Sequence, residues 1–166
     1  MSAVGNLQVS TPSDREIVMV RVFDAPRARV YEGLTDPALL KSWLAVRGLV
    51  MTSVQSDNHV GGRYRFEGTL RNGGTLGWGG EFREVVPHER IIQTEAFDGY
   101  PGEALNTTTL EEHDGKTTMT IRMEYPSKEI RDIVLGTGMP DGAGEAYEKL
   151  SELLARQANR PDADRS

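Results

Sequence analysis

The sequence predicts a single α+β domain, a curved antiparallel sheet with a long carboxy-terminal helix lying across it. Three observations carry this. A β-branched run of strand length occupies Glu16–Phe23. From Gly48 to Tyr125, segments of about eight to eleven residues alternate with turn residues, the pattern of a meander of hairpins. Finally, Ala143, Ala146, Tyr147, Leu150, Leu153 and Leu154 repeat at the i, i+3, i+4, i+7 spacing of one helix face. The order strand, helices, strands, helix contains no alternating βαβ units, which excludes a doubly wound sheet.

The elements follow in chain order. Glu16–Phe23 is the first strand, ended by Asp24, Ala25 and Pro26. Pro26 suits a first helical position, where its missing N–H costs nothing, and Val30, Tyr31 and Leu34 then share a face. Asp36 is placed to cap a second short helix with Pro37 in its first turn, running through Trp43 and Leu44. Turn chemistry at Asn58–Gly62, Arg71–Gly74, Val86–Glu89, Asp98–Gly102 and His113–Gly115 then divides the middle of the chain into six strands, seven with the first. Tyr64 and Phe66 alternate with Arg63, Arg65 and Glu67, and Met119, Ile121, Met123 and Tyr125 alternate with Thr118, Thr120, Arg122 and Glu124, so one face is apolar and the other wet. Ser127 caps a short helix through Leu135 that Gly136 ends. The last helix is predicted over Asp141–Gln157, with Glu145→Lys149 and Glu152→Arg156 as i,i+4 pairs on its exposed side. Residues 1–13 are expected to be a flexible leader, 14–157 the domain, and 158–166 a disordered charged tail.

Composition narrows the function. A chain of 166 residues fits one hydrophobic core, since cores organise on the order of 100–200 residues before dividing. No apolar run approaches the ~18 residues of a membrane span. Met1–Ser13 has neither the basic start nor the apolar centre of a secretory signal, which makes the cytoplasm the expected location. The absence of cysteine removes disulfides, thiolate metal sites and cysteine nucleophiles together. A net charge of -6, with basic residues scattered along the chain, opposes a phosphate backbone, so nucleic acid is not expected as a partner.

Several stretches together resemble the START-like or SRPBCC superfamily, the helix-grip fold of the birch pollen allergen, over roughly Arg15–Ala155. Arg21–Pro26, Thr35–Pro37 with Trp43, Gly61–Phe66, Glu84–Arg90 and Arg131–Met139 are similar, in that order, to the branch named after the activator of the heat-shock-protein-90 ATPase. The resemblance implies a seven-stranded sheet wrapped around the last helix, and an interior pocket that relatives use for lipids, hormones, polyketides or other apolar molecules. Where similar sequences often carry a second tryptophan after Trp43, this chain has Leu44, and where they often place a bulky aromatic early in the last helix, it has Gly142, Ala143 and Gly144.

The large side chains available to line such a pocket are Trp43, Tyr64, Phe66, Trp78, Phe82, Phe97, Met123 and Tyr147. Gly77, Gly79 and Gly80 around Trp78 lie inside a strand with no helix following. They therefore read as a place where the strand bends, not as a phosphate loop. Glu111, Glu112, His113 and Asp114 sit at a hairpin tip, and His59 and His88 in turns, so no metal site and no cofactor are expected. No serine sits in a nucleophile elbow. Glu81, Glu95, Arg47 and Tyr64 are the groups that could project inward with shifted pKa. The expected function is binding or carrying of a small apolar molecule in the cavity, with an oligomer possible. The alternatives are a cofactor-independent cyclase or dehydratase acting in that cavity, and a protein-interaction or co-chaperone-like module. The small residues at Gly142–Gly144 predict a thin roof there, through which a ligand would pass.

Overall fold

The computed structural model describes residues 2–4 and 6–159. Strands β1 (Ser2–Val4), β2 (Leu7–Ser10) and β3 (Glu16–Phe23) are followed by helices α1 (Arg27–Thr35) and α2 (Pro37–Trp43). Strands β4 (Val50–Ser56), β5 (Arg63–Thr69), β6 (Thr75–Val86), β7 (Arg90–Phe97), β8 (Ala104–His113) and β9 (Lys116–Glu124) come next, then α3 (Lys128–Gly136) and α4 (Met139–Ala158). All strands join one antiparallel sheet in the order β1-β2-β3-β9-β8-β7-β6-β5-β4.

The sheet has nine strands, two more than the seven expected. The extra pair falls in the stretch expected to be a flexible leader, and β2 is no leader. It pairs with β3 through Gln8 to Val20 and Ser10 to Val18, and it buries Leu7 completely. The alternation of Leu7 and Val9 with Gln8 and Ser10 is a strand pattern too short to stand out in a polar segment. At the other end, α4 continues to Ala158, and residues 160–166 of the expected tail lie outside the described residues.

The helix termini form where their capping residues stand. Asp36 accepts a hydrogen bond from the Ala38 N–H at 2.9 Å, with Pro37 in the first turn. Ser127 accepts one from Ile130 at 3.2 Å. Gly138, at φ 82°, makes the left-handed turn from α3 into α4, so α4 starts at Met139, two residues before the predicted Asp141.

Ala146, Leu150 and Leu154 form the buried stripe of α4, which packs on α1, α2, α3 and the first strands of the sheet. Leu150 leaves room for no side chain at Gly33, where a Cβ would stand 2.7 Å from its Cδ1. Arg21, inward-facing and almost wholly buried, reaches Glu148 of α4 at 3.0 Å and ties helix to sheet. The outer charges of α4 also reach elsewhere than their predicted i,i+4 partners. Glu145 lies 3.7 Å from Arg47, and the Lys149 ammonium donates to the Ala45 carbonyl.

At the glycines of β6, where a bend was expected, the pairing with β7 is interrupted, and the register shifts beyond it between Phe82 and Glu84. Trp78 and Gly79 pair with Phe97 and Ala96, and pairing with β7 resumes only at Phe82 opposite Gln93. In the gap the Glu81 N–H donates instead to the Thr94 hydroxyl at 2.9 Å, and the Thr94 carbonyl accepts from the Tyr64 hydroxyl at 2.5 Å. Side chains therefore serve the backbone groups that the broken ladder leaves. A Cβ at Gly80 would stand 2.0 Å from the Thr94 oxygen, and one at Gly79 2.4 Å from the Tyr64 oxygen.

Gly80→Ala is accordingly expected to lower unfolding stability by roughly 2 kcal/mol or more, because backbone and not a flexible side chain must give way. Gly136→Ala, in a helix with nothing within 4 Å of the added Cβ, is expected to be neutral or to stabilise by about 0.5–1 kcal/mol. Urea unfolding of the two variants checks the contrast; equal stabilities would refute this account of the close approach at Gly80.

Candidate functional site

Because α4 packs on the first strands and the short helices, the inner faces of β5 to β8 are left facing open space. That space is a cavity of about 450 Å³. All eight large side chains predicted from the sequence line it.

They come together as a connected wall. On the sheet side Trp78 stacks on Phe97 at 5.4 Å, Phe66 meets Trp78 edge-on at 5.6 Å, and Tyr64 touches both Phe66 and Phe82. These contacts follow from the register, which sets Phe66 opposite Trp78 and Trp78 opposite Phe97. On the helix side Trp43 and Tyr147 pack at 5.6 Å, and the Trp43 indole donates to the Gly33 carbonyl at 2.8 Å. Met123 enters from β9, beside Asn106 of β8. Leu34, Leu44, Val46, Val134 and Met139 close the space from the helices and the segment after α2. Exposed Tyr100 stands at its rim.

Of the four groups named as candidates for inward projection, the structure brings in two. Tyr64 and Glu95 line the cavity. Glu81 is outside, 3.8 Å from Arg63 and 3.5 Å from Arg83, because it alternates with the inward-facing Trp78 and Phe82 along β6. Arg47 is also outside, half exposed, with its guanidinium 3.4 Å from the Gly138 carbonyl and 3.7 Å from Glu145. It straps the segment after α2 to the start of α4. Gly142 and Ala143 line the cavity beneath this strap, whereas Gly144 is buried without lining it.

Glu95 dominates the electrostatics. Its carboxyl lies in the cavity wall among mostly apolar side chains. Burial pushes its pKa up to about 7, partly offset by hydrogen bonding to the Asn106 side chain. Burial and the charge of Glu95 together raise the hydroxyl pKa values of Tyr64, Tyr125 and Tyr147, so all three stay neutral. Asn106 is itself buried, and its Oδ1 has no hydrogen-bond partner. A second, water-sized space of about 30 Å³ adjoins Glu95 on the side of Tyr100 and Tyr125.

Sequence reasoning missed Asn106, Gln93 and Thr108, which add polarity to the wall near Glu95. A signal was present: Gln93 and Glu95 occupy the inward phase between Ile91 and Phe97, and Asn106 and Thr108 the inward phase between Ala104 and Leu110. Polar residues on an otherwise apolar strand face mark such a site. Among the described residues, no group of three His, Cys, Asp or Glu is arranged to hold a metal, and no helix is long and apolar enough to cross a membrane.

The family model described as activator of Hsp90 ATPase homolog 1-like protein matches residues 24–155. Among solved structures, a protein from Rhodobacter sphaeroides is 33% identical with a TM-score of 0.87, the match covering 91% of this chain and 99% of that one. A protein from Chromobacterium violaceum is 32% identical with a TM-score of 0.75, covering 86% and 98%. One from Mycobacterium smegmatis is 26% identical with a TM-score of 0.80, covering 89% and 95%. No curated protein matches the chain.

The raised Glu95 pKa sets a pH dependence of stability. A carboxyl raised to about 7 when folded, against an ordinary value of 4.5, holds its proton more tightly in the folded state. Its destabilising effect is therefore absent below pH 4.5, grows as pH rises to 7, and is complete above. Relative to Glu95→Gln, the wild type is expected to lose on the order of 3 kcal/mol between pH 4.5 and pH 8. Parallel denaturation curves of the two proteins across that range would show it, and a difference that stays flat with pH would count against a buried, raised carboxyl.

Proposed function

The chain belongs to the activator of Hsp90 ATPase homolog 1-like family, and from that premise and its interior we propose that it binds a small, mainly apolar molecule between sheet and α4. The observation that carries the reading is the cavity itself. Protein interiors are packed so closely that voids larger than a water are few, and about 450 Å³ lies within the range of small-molecule sites. Aromatic rings and the thioethers of Met19, Met119, Met123 and Met139 surround it, and atoms facing a void forgo contacts that a ligand would restore.

One observation favours a second reading, an enzyme of cyclase or dehydratase type. Glu95 stands inside the cavity with a carboxyl near neutrality, where it can accept or return a proton at physiological pH. In that role Glu95 is the general acid–base group. The two readings part on the fate of the ligand: a carrier releases it unchanged, whereas an enzyme releases a product that Glu95→Gln does not form.

Native mass spectrometry of gently purified protein is expected to show a carried molecule, and a thermal-shift screen of fatty alcohols, sterols and aromatic polyketides to find compounds that raise Tm. An empty protein with no responding compound would refute binding. Ala143→Trp is expected to fill the cavity from its thin end, leave the fold intact, and weaken any hit by about tenfold, or 1.4 kcal/mol. Unchanged affinity, or an unchanged cavity in the variant's crystal structure, would show that this end of α4 does not shape the site.

A further inference from the structure

The polar part of the cavity wall is one-sided. Among the described residues that line it there is no Lys, Arg or His, and Glu95 is its one carboxylate. Beside Glu95, Asn106 presents an amide oxygen that is buried and unpartnered. The register sets Glu95 opposite Ala104 and Gln93 opposite Asn106, so Glu95 and Asn106 are inward-facing diagonal neighbours on paired strands. The groups that face Glu95 from the elements around it are Tyr64 of β5, Tyr125 just past β9, and Tyr147 of α4. None of these brings a positive charge. The Tyr64 hydroxyl is already committed to the Thr94 carbonyl. At one end of an apolar chamber, therefore, a carboxylate and an unused amide oxygen accept hydrogen bonds with no protein cation to balance them.

A buried acceptor left unpaired costs free energy, and a buried carboxylate without a countercharge costs more. A ligand that donates hydrogen bonds relieves both, and one that donates from a cation relieves the second most. A ligand that ends in a carboxylate would instead place a second negative charge beside Glu95. Resting on the binding reading above, we infer that the cavity selects an apolar molecule carrying a hydrogen-bond donor, a primary amine above all, with its donor on Glu95 and the Asn106 oxygen. It discriminates against carboxylates of the same carbon body. Fatty acids are thus outside its ligand class, and aliphatic or arylalkyl amines are within it.

Three compounds that share a body and differ only in the terminal group provide the test: 4-phenylbutylamine, 4-phenylbutan-1-ol and 4-phenylbutanoate, titrated by calorimetry or ligand-observed NMR. Near pH 8, with Glu95 ionised, the amine is expected to bind about tenfold more tightly than the alcohol, and the carboxylate most weakly. Glu95→Gln is expected to bring amine and alcohol within about twofold of each other, chiefly by weakening the amine. Lowering the pH of the wild type to about 5.5 is expected to do the same by protonating Glu95, and that comparison decides the matter should the variant fail to fold. Carboxylate binding as tight as that of the amine, or a ranking that survives both the substitution and the lower pH, overturns the inference. If all three compounds bind alike, the binding reading stands and this selectivity alone falls. If none binds, both fall.

Discussion

The close backbone approach at Gly79 and Gly80, beside the interruption of the β6–β7 ladder at Gly80 and Glu81, is the constraint on which the rest of the interior depends. The Tyr64 and Thr94 carbonyl oxygens stand where side chains at these two positions would begin, so this close approach is open to glycine alone. The backbone groups left by the break are taken up by the Thr94 hydroxyl and the Tyr64 hydroxyl. Tyr64 is thereby fixed as part of the wall, and Glu95, next to Thr94 on β7, faces inward beside it. The same stretch thus holds Tyr64 in the aromatic row, and the alternation of β7 sets the carboxylate beside it.

A curved sheet leaves space only if the helix does not follow it down. The anchoring of α4 lies along its middle and end, where Leu150 fits against Gly33 and Glu148 meets buried Arg21. Breaking such a pair from one side would leave a buried charge uncompensated, which is costly even where the intact pair adds little net stability. The first turns of α4 carry Gly142, Ala143 and Gly144, with no bulk to descend into the cavity. Arg47 holds the segment after α2 across that end from outside, and Lys149 ties the same segment to the middle of the helix. Firm packing at one end of the helix and small residues at the other together account for the chamber.

Within it, the polar groups follow the same strand alternation that places the apolar ones. Glu95, Gln93, Asn106 and Thr108 occupy inward positions between hydrophobic neighbours. Folding therefore tolerates one buried carboxyl, held near neutrality by the loss of water around it. A group kept at that cost is a candidate for function, because structural needs at the same site would be met by an apolar side chain.

Most of the architecture was legible in the residues, since period-two and helical spacing, glycine turns, and the caps at Asp36 and Ser127 act locally and need no partner to be recognised. The same periodicity identified Trp43, Tyr64, Phe66, Trp78, Phe82, Phe97, Met123 and Tyr147 as inward-facing. Strand β2 was hidden because four residues carry too little pattern against a polar background. What tertiary structure alone decided was the meeting of Glu95 with Asn106 across paired strands, the use of Arg47 as a strap in place of a buried cation, and the pairing of α4's charges with distant segments. Those outcomes depend on contacts between segments far apart in the chain. The sequence by itself determined which faces are apolar, and only the packing of sheet against helix decided that the space between them stays open around a single carboxylate.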